Sequence, residues 1–478
     1  MAMKVLICNP PWKTPSGDKG QRSNSRWPYT KKTNAFSFPV YLAYAAALCE
    51  RDGFEVSVID AVVEDIDAGQ LAERVKSLQP KVILLETATP SINLDYATID
   101  KLKAVCDAKI AVCGAHVTVY HAKVLEEQPK IDYVIRGEFE MAFLNICKAL
   151  RDKYPVKDVK GISYRQGEQI IINENSDLIH DMDSMPFPAY HLFDLYAYGK
   201  HAIRLPRNVT MVSSKGCPHR CTFCVWPQTM YGHAFRPRSA KNVVDEMEMV
   251  VKKYGAQEIF FDDDTFTIIN QRVNDICDEI IKRGLKVRWQ CYAHVNTVEP
   301  EMLKKMYEAG CYVIRYGIES GHDDTLKAIK KGSTIERIRR AIQWTKEAGI
   351  KSYGTFMLGL PGDTKQKCEQ TINFACELDP DFVQFSIVTP FPGTELYNQF
   401  KQEGRIEAKD WAEFNGNLKP VYELPDLSRE DMKAMLKKAW RSFYLRPHKI
   451  WQTIKKIDSF GVLVRTVRGG YSIAIGRL

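Results

Sequence analysis

Short β-rich runs that alternate with helical stretches recur along this chain, and no other feature limits its possible folds so strongly. Before residue 150 the runs are KVLICNPP, EVSVID, KVILLETAT, KIAVCGAHV and DYVIRGE. Between them lie segments such as FPVYLAYAAALCERDG, whose apolar spacing suits a helix packed on a sheet. Strands joined in this way make a doubly wound parallel α/β sheet, flavodoxin-like or Rossmann-like, with its ligand crevice at the C-terminal strand ends. Those ends are Asn9 to Trp12, Thr87 to Pro90, Gly114 to Thr118 and Gly137 to Glu138. Small and hydroxyl residues there leave room for a bulky ligand.

A second series begins near residue 206 with NVTMVSSKGC, EIFFDDDTF, KVRWQCYAHV, YVIRYGIESG, KSYGTFMLGLPG and FVQFSIVTPFPG. Six units ending at residue 394 are too few for a closed eight-unit barrel and predict an open, partial one. The expected divisions are a first domain over 1–150, a linker with a hairpin over 151–205, the partial barrel over 206–394 and a helical region over 395–478. In that last region Trp411, Trp440, Phe443, Tyr444 and Trp451 are candidate packing anchors.

With 478 residues, 45% hydrophobic and 26% charged, the chain reads as a globular protein of two or three domains. No apolar run approaches the roughly 20 residues of a membrane span, and MAMKVLICNPP reads as a first buried strand, so a cytoplasmic location is expected. The net charge of +8 is concentrated in residues 431–478, where eleven Lys and Arg face only Asp431 and Asp458. An electrostatic partner would therefore meet this tail.

Thirteen cysteines are present, and most, such as Cys8, Cys113, Cys147 and Cys311, sit in apolar runs as small core residues. Only Cys217, Cys221 and Cys224 cluster, in SKGCPHRCTFCVW. Zinc is one reading, with His219 or His233 as fourth ligand. The other is a cluster of four irons and four sulfurs, which three cysteines would bind with one iron left open.

CxxxCxxC after the first strand of a partial βα barrel resembles the radical S-adenosylmethionine superfamily. The doubly wound domain ahead of it, the linking DMDSMPFP, and the later RYGIESG and TPFPGTELY are similar over essentially the whole chain to its cobalamin-binding members of the class B methyltransferase type. The resemblance implies three cofactors: a [4Fe-4S] cluster on Cys217, Cys221 and Cys224, S-adenosylmethionine chelated to the open iron by its amino and carboxylate groups, and cobalamin. Phe223 matches the aromatic before the third cysteine. Asp263 and Asp264 stand where the family contacts the methionine amino group, although FFDDDTF departs from the usual GGE-like element. Glu319 and Ser320 stand where it contacts ribose and carboxylate, and Gly359 and Pro392 lie at the strand ends that approach adenine. Trp12, Thr87, Gly114, His116, Thr118, Gly137 and Glu138 become cobalamin contacts. The signature DxHxxG is absent, so His116 is expected as a structural or corrin contact rather than a cobalt ligand.

The chemistry implied is radical C-methylation: a 5′-deoxyadenosyl radical removes hydrogen from an unactivated carbon, which then takes a methyl group from methylcobalamin. Tyr292 and Tyr316, with Trp12 and Trp226, are candidates to line the shared cavity, the two tyrosines as catalytic residues. An external electron donor of flavodoxin or ferredoxin type and a monomeric state are expected. The alternatives are a radical cyclase or oxidase of the anaerobic magnesium-protoporphyrin type, and a zinc-stabilised binding protein. No nucleic-acid partner is expected; the stretch KIWQTIKKIDSFGVLVRTVR offers a membrane-surface contact. The substrate is left open among small molecules, lipids and polypeptide residues.

Overall fold

The computed structural model describes residues 2–22, 27–32, 36–198, 205, 207–416 and 419–454. Strands β1 (Lys4–Asn9), β2 (Glu55–Asp60), β3 (Val82–Glu86), β4 (Lys109–Cys113) and β5 (Tyr133–Ile135) pair in parallel in the order β2-β1-β3-β4-β5. Val5 to Cys8 and Val82 to Leu85 are buried without a break, as in a sheet covered by helices on both faces. Helix α1 (Val40–Arg51) is buried from Val40 to Cys49 because it has a neighbour on each side. It packs on this sheet, and it also reaches the second domain, where Tyr41 meets Trp226 edge-on at 5.6 Å.

The hairpin expected within a linker completes the first sheet instead. β6 (Ile162–Gln166) and β7 (Gln169–Ile172) add to β5 in antiparallel fashion. β5 is only three residues long, and without the hairpin it would leave an open edge.

The second sheet contains β8 (Asn208–Met211), β9 (Glu258–Phe261), β10 (Arg288–Ala293), β11 (Cys311–Glu319), β12 (Lys351–Leu358) and β13 (Phe382–Ile387), all parallel and in chain order. This is the open six-strand barrel that the sequence predicts. Its outer helices are amphipathic, as in α2 (Ala240–Tyr254), which is capped by Ser239 and ends at Gly255 with φ +64°.

The C-terminal region straps both domains together. Trp411 packs on His116 and Tyr120 of the first domain at 5.0 and 5.4 Å. Helix α3 (Arg429–Tyr444) covers β13 through Trp440, which meets Phe385 at 6.0 Å, and through the buried Phe443. Trp451 is 58% exposed and is not an anchor. The basic stretch beyond residue 454, including most of the expected surface helix, lies outside the described residues. Among the described residues no helix is long and apolar enough to cross a membrane.

Candidate active site

The cysteine loop leaves β8 at Ser213 and is fastened before it reaches Cys217. The Asp263 carboxylate accepts from the Ser213 amide at 2.7 Å and from the Ser213 and Ser214 hydroxyls at 2.5 and 2.6 Å. Gly216 follows with φ +82°, and a Cβ there would come 2.1 Å from the Ala234 carbonyl oxygen, so only glycine fits. Past the turn, Gln228 donates from one Nε2 to the carbonyls of Cys221, Thr222 and Cys224 at 2.8–3.2 Å. The loop is thereby gathered from inside, with its thiols facing one cavity.

That cavity, about 1100 Å³ including its open mouth, is lined by Cys217, Cys221, Phe223, Cys224, Tyr292 and Glu319, among others. Among the described residues no group of three or more His, Cys, Asp or Glu side chains is placed to hold a single metal ion. All three thiols line this one cavity, the donor set with which a four-iron cluster keeps one iron open. The two candidate zinc histidines differ in their engagement, since His219 Nε2 is buried without a hydrogen-bond partner. His219 stacks on His294 with ring centroids 3.8 Å apart, and His233 Nδ1 lies 3.0 Å from the Cys217 carbonyl.

Glu319 closes β11 in a left-handed conformation, φ +68°, which is strained for a residue with a side chain. Its Oε1 accepts from Lys331 Nζ at 2.9 Å, and its Oε2 is buried with no hydrogen-bond partner. Burial alone would lower the Lys331 ammonium, but Glu319 and Cys221 hold it above its ordinary value. A strained, half-satisfied carboxylate beside three cysteines is an acceptor waiting for a donor. This fits the cluster and the ammonium group of S-adenosylmethionine.

A second cavity of about 600 Å³ lies where the ends of β3 and β4 meet the barrel loops. Thr87 and Gly114 line it from the sheet, and Trp226, Phe391 and Pro392 from the barrel. Gly114 has φ +122°, and a Cβ there would come 2.3 Å from the Thr87 carbonyl oxygen, so the crevice floor stays bare. Aromatic walls over a bare floor suit a large flat ring system such as a corrin. Phe391 lines both cavities, and Trp226, two residues after Cys224, stands on the side of the second.

Several expected site residues lie elsewhere. Tyr316 is fully buried and meets Thr345 Oγ1 at 2.7 Å, because side chains alternate along β11 and its neighbours Arg315 and Gly317 take the inner face. Asp263 serves the turn described above; Asp264 is the aspartate that reaches the cavity. Ser320 caps its own turn by accepting from the His322 amide at 3.2 Å. Gly359 approaches Tyr422 and Met432 instead of a ligand, with 2.5 Å from its notional Cβ to the Tyr422 hydroxyl. Pro392 lines the second cavity and not the first.

The first domain shows the same sorting. Trp12 lies in a separate pocket with Pro11, Ala61 and Leu94, its ring packed on Gly20. His116 sits beneath Trp411, and burial pushes its pKa down to about 3. Thr118 accepts from the Gly137 amide at 3.0 Å, and Gly137 itself faces the Met230 carbonyl of the barrel. Glu138 is consumed by the domain junction: Lys215 Nζ lies 2.7 Å from Glu138 and 2.6 Å from Glu140, and Arg236 lies 2.9 Å from Glu138.

Lys215, Gln228, Lys331 and Arg315 escaped the sequence reading. Lys215, in SKGC, carried a signal: a lysine placed between a buried strand and a buried loop must be paired. Nothing local marked the other three.

A partial barrel with three cysteines in its first loop, behind a sheet with an open crevice, is the arrangement of radical enzymes that pair an iron–sulfur cluster with cobalamin. The radical SAM superfamily model matches residues 211–375, and the B12 binding domain model matches residues 28–146. An uncharacterised methyltransferase of Pyrococcus horikoshii is 33% identical over 90% of this chain and 93% of its own. An anaerobic magnesium-protoporphyrin IX monomethyl ester cyclase of Cereibacter sphaeroides is 30% identical over 85% of this chain and 67% of its own. The solved structure of OxsB, a cobalamin-dependent S-adenosylmethionine radical enzyme, with aqua-cobalamin and S-adenosylmethionine bound, superimposes with a TM-score of 0.77. It covers 99% of this chain and 72% of that one at 17% identity, which speaks to the fold. The chain belongs to the cobalamin-binding radical S-adenosylmethionine family.

Proposed function

We propose that this protein is a cobalamin-dependent radical C-methyltransferase acting on an unactivated carbon. The observation that carries the reading is the adjacency of the two cavities, which share Phe391 and lie on either side of the segment from Cys224 to Trp226. Bound there, the cluster with S-adenosylmethionine supplies a hydrogen-abstracting radical, and cobalamin supplies the methyl group.

The chain's own contribution is alignment and exclusion of water. Cys217, Cys221 and Cys224 would hold the cluster, Glu319 and Asp264 would orient the methionine ammonium, and Thr87, Gly114 and Trp226 would seat the corrin. Tyr292, on the cavity wall, is the candidate contact for substrate. An external flavodoxin or ferredoxin would deliver the electron to a monomeric enzyme.

The test is anaerobic reconstitution with both cofactors, followed by mass analysis of products. Methylation yields S-adenosylhomocysteine and 5′-deoxyadenosine together with a product heavier by one CH₂. A product altered only in hydrogen or oxygen count would favour the cyclase-type reaction, and deoxyadenosine alone would sink methyl transfer.

A further inference from the structure

We propose that Arg315 anchors an anionic group of the substrate, a carboxylate or a phosphonate, deep in the cluster cavity. The inference rests on the function proposed above and adds the class of molecule that the cavity takes.

Arg315 lies on the inner face of β11, opposite Tyr292 of β10 and Tyr353 of β12. Its guanidinium carbon is 4.6 Å from the Tyr353 ring centroid, 5.2 Å from that of Phe260 and 5.9 Å from that of Tyr292. Nε donates to Gln290 Oε1 at 3.0 Å, and the Gln290 amide is itself committed to Glu258. These contacts hold the guanidinium plane without neutralising it. Among the described residues its two terminal nitrogens make no hydrogen bond or ion pair, although the side chain is half-buried.

Of the other deeply placed arginines among the described residues, Arg272 donates only to the Arg238 and Ser213 carbonyls and lines neither cavity, whereas three are paired. Arg22, Arg236 and Arg238 face the carboxylates of Asp95, Glu138 and Glu246. A cation left unpaired inside a cavity is costly, and an entering anion would relieve that cost through the paired N–H groups of the fork. Thr355 and Gln384, one layer nearer the mouth, also line the cavity; the Thr355 hydroxyl donates to the Tyr316 carbonyl at 3.3 Å, and the Gln384 amide is the neutral donor beside Arg315. Between Arg315 and Glu319 stands Gly317, over which the Glu319 carboxylate and the Lys331 ammonium pack, 2.3 and 2.8 Å from its notional Cβ, so only glycine leaves them room.

Depth distinguishes this anion from the carboxylate of S-adenosylmethionine. Arg315 precedes Glu319 by four residues, at most about 13 Å along a strand, and an irregularity at Gly317–Glu319 brings the Glu319 carboxylate back over Gly317. The methionine carboxylate, chelated at the cluster, belongs to the Glu319 end. The group at Arg315 belongs to a second molecule.

The experiment uses the full chain reconstituted with cluster and cobalamin, titrated calorimetrically with phenylphosphonate, benzoate and uncharged benzamide, with and without saturating S-adenosylmethionine. The two anions are expected to bind at one site and benzamide not at all. Arg315→Gln is expected to weaken both anions about tenfold or more, and Arg315→Lys, which keeps charge but loses the fork, by less. Affinity for S-adenosylmethionine should match the unsubstituted protein in both variants. Equal anion binding by Arg315→Gln, or no saturable anion binding by the unsubstituted protein, overturns the proposal. So does displacement of the anions by S-adenosylmethionine, which would assign Arg315 to the methionine carboxylate. Should Arg315→Gln lose its cluster absorption, Arg315→Lys carries the comparison, and unchanged anion affinity there overturns it. Failure of the methyltransferase reading has its own signature, absence of S-adenosylhomocysteine with every substrate, and leaves the anion titration intact.

Discussion

Two buried lysines flank the cysteine loop, and they do opposite work. Lys215, two residues before Cys217, is fully buried and holds Glu138 and Glu140, with Arg236 completing the set. Tyr41, Tyr44 and Tyr231 surround its ammonium at 5.3–5.9 Å. Burial would lower the lysine, but the two carboxylates hold it above its ordinary value. Lys331, on the far side of the loop, has one carboxylate, and that carboxylate keeps an oxygen with no hydrogen-bond partner. The first network joins the domains, and its unpartnered atoms, Glu140 Oε2 and Arg236 Nε, are enclosed in that junction. The second lines the cluster cavity, where its free carboxylate oxygen can meet a ligand.

The largest effect expected tests the loop that both lysines support. Cys217→Ala, Cys221→Ala or Cys224→Ala should each abolish the visible absorption of the cluster and reduce cleavage of S-adenosylmethionine to background, read from iron content and deoxyadenosine. Retention of a full cluster by any of them would dissolve the comparison.

Next, Lys215→Met leaves Glu138 with Arg236 and strands the buried Glu140 without a cation. A loss of about 3–5 kcal/mol is expected, seen by calorimetry as a lowered melting temperature. Adding Glu140→Gln should recover part of it, because one stranded charge is removed. Glu319→Gln keeps an acceptor for Lys331 and should cost only about 1–2 kcal/mol. Its main effect should be weaker binding of S-adenosylmethionine, by about tenfold. If Glu319→Gln unfolds the protein as readily as Lys215→Met, the two networks are alike and the contrast fails.

Smaller still is the contrast between two tyrosines. Tyr316→Phe should lower stability by about 1 kcal/mol through the lost Thr345 contact and leave turnover unchanged. Tyr292→Phe should do the reverse, lowering kcat/KM at constant melting temperature. The last contrast concerns pH. Buried His116 stays neutral down to about 3, whereas the unfolded chain takes up that proton near 6.5. Stability should therefore fall as pH drops from about 6.5 towards 3, and His116→Gln should flatten that part of the curve.

Much of the architecture was legible because strand and helix periods are local properties. Both βα series, their order and the three cysteines follow from runs of fewer than twenty residues. The misplaced residues share a different cause. Tyr316 stands one position from Arg315 and Gly317, which face the cavity, and a period-two element turns such a neighbour away, while Asp263, in the loop after β9, is drawn to Ser213 and Ser214 and leaves Asp264 to the cavity. Gly359 and His116 were drawn off by the C-terminal region, through Tyr422 and Trp411, at sequence separations of 63 and about 300. The hairpin over 162–172 was recognised as a hairpin, but its partner was not, because only β5 in place shows a sheet edge in need of cover.

By itself, the sequence determined the α/β class, the two successive βα series and the donor set for a cluster, since spacing and periodicity are written residue by residue. Only the tertiary structure decided which side chains face the cavity and which are spent on holding it. It brought Trp226, Phe391 and Pro392 against Thr87 and Gly114, and it left Arg315 without a carboxylate. Those outcomes depend on strand phase and on contacts between residues far apart in the chain, and no local pattern encodes either.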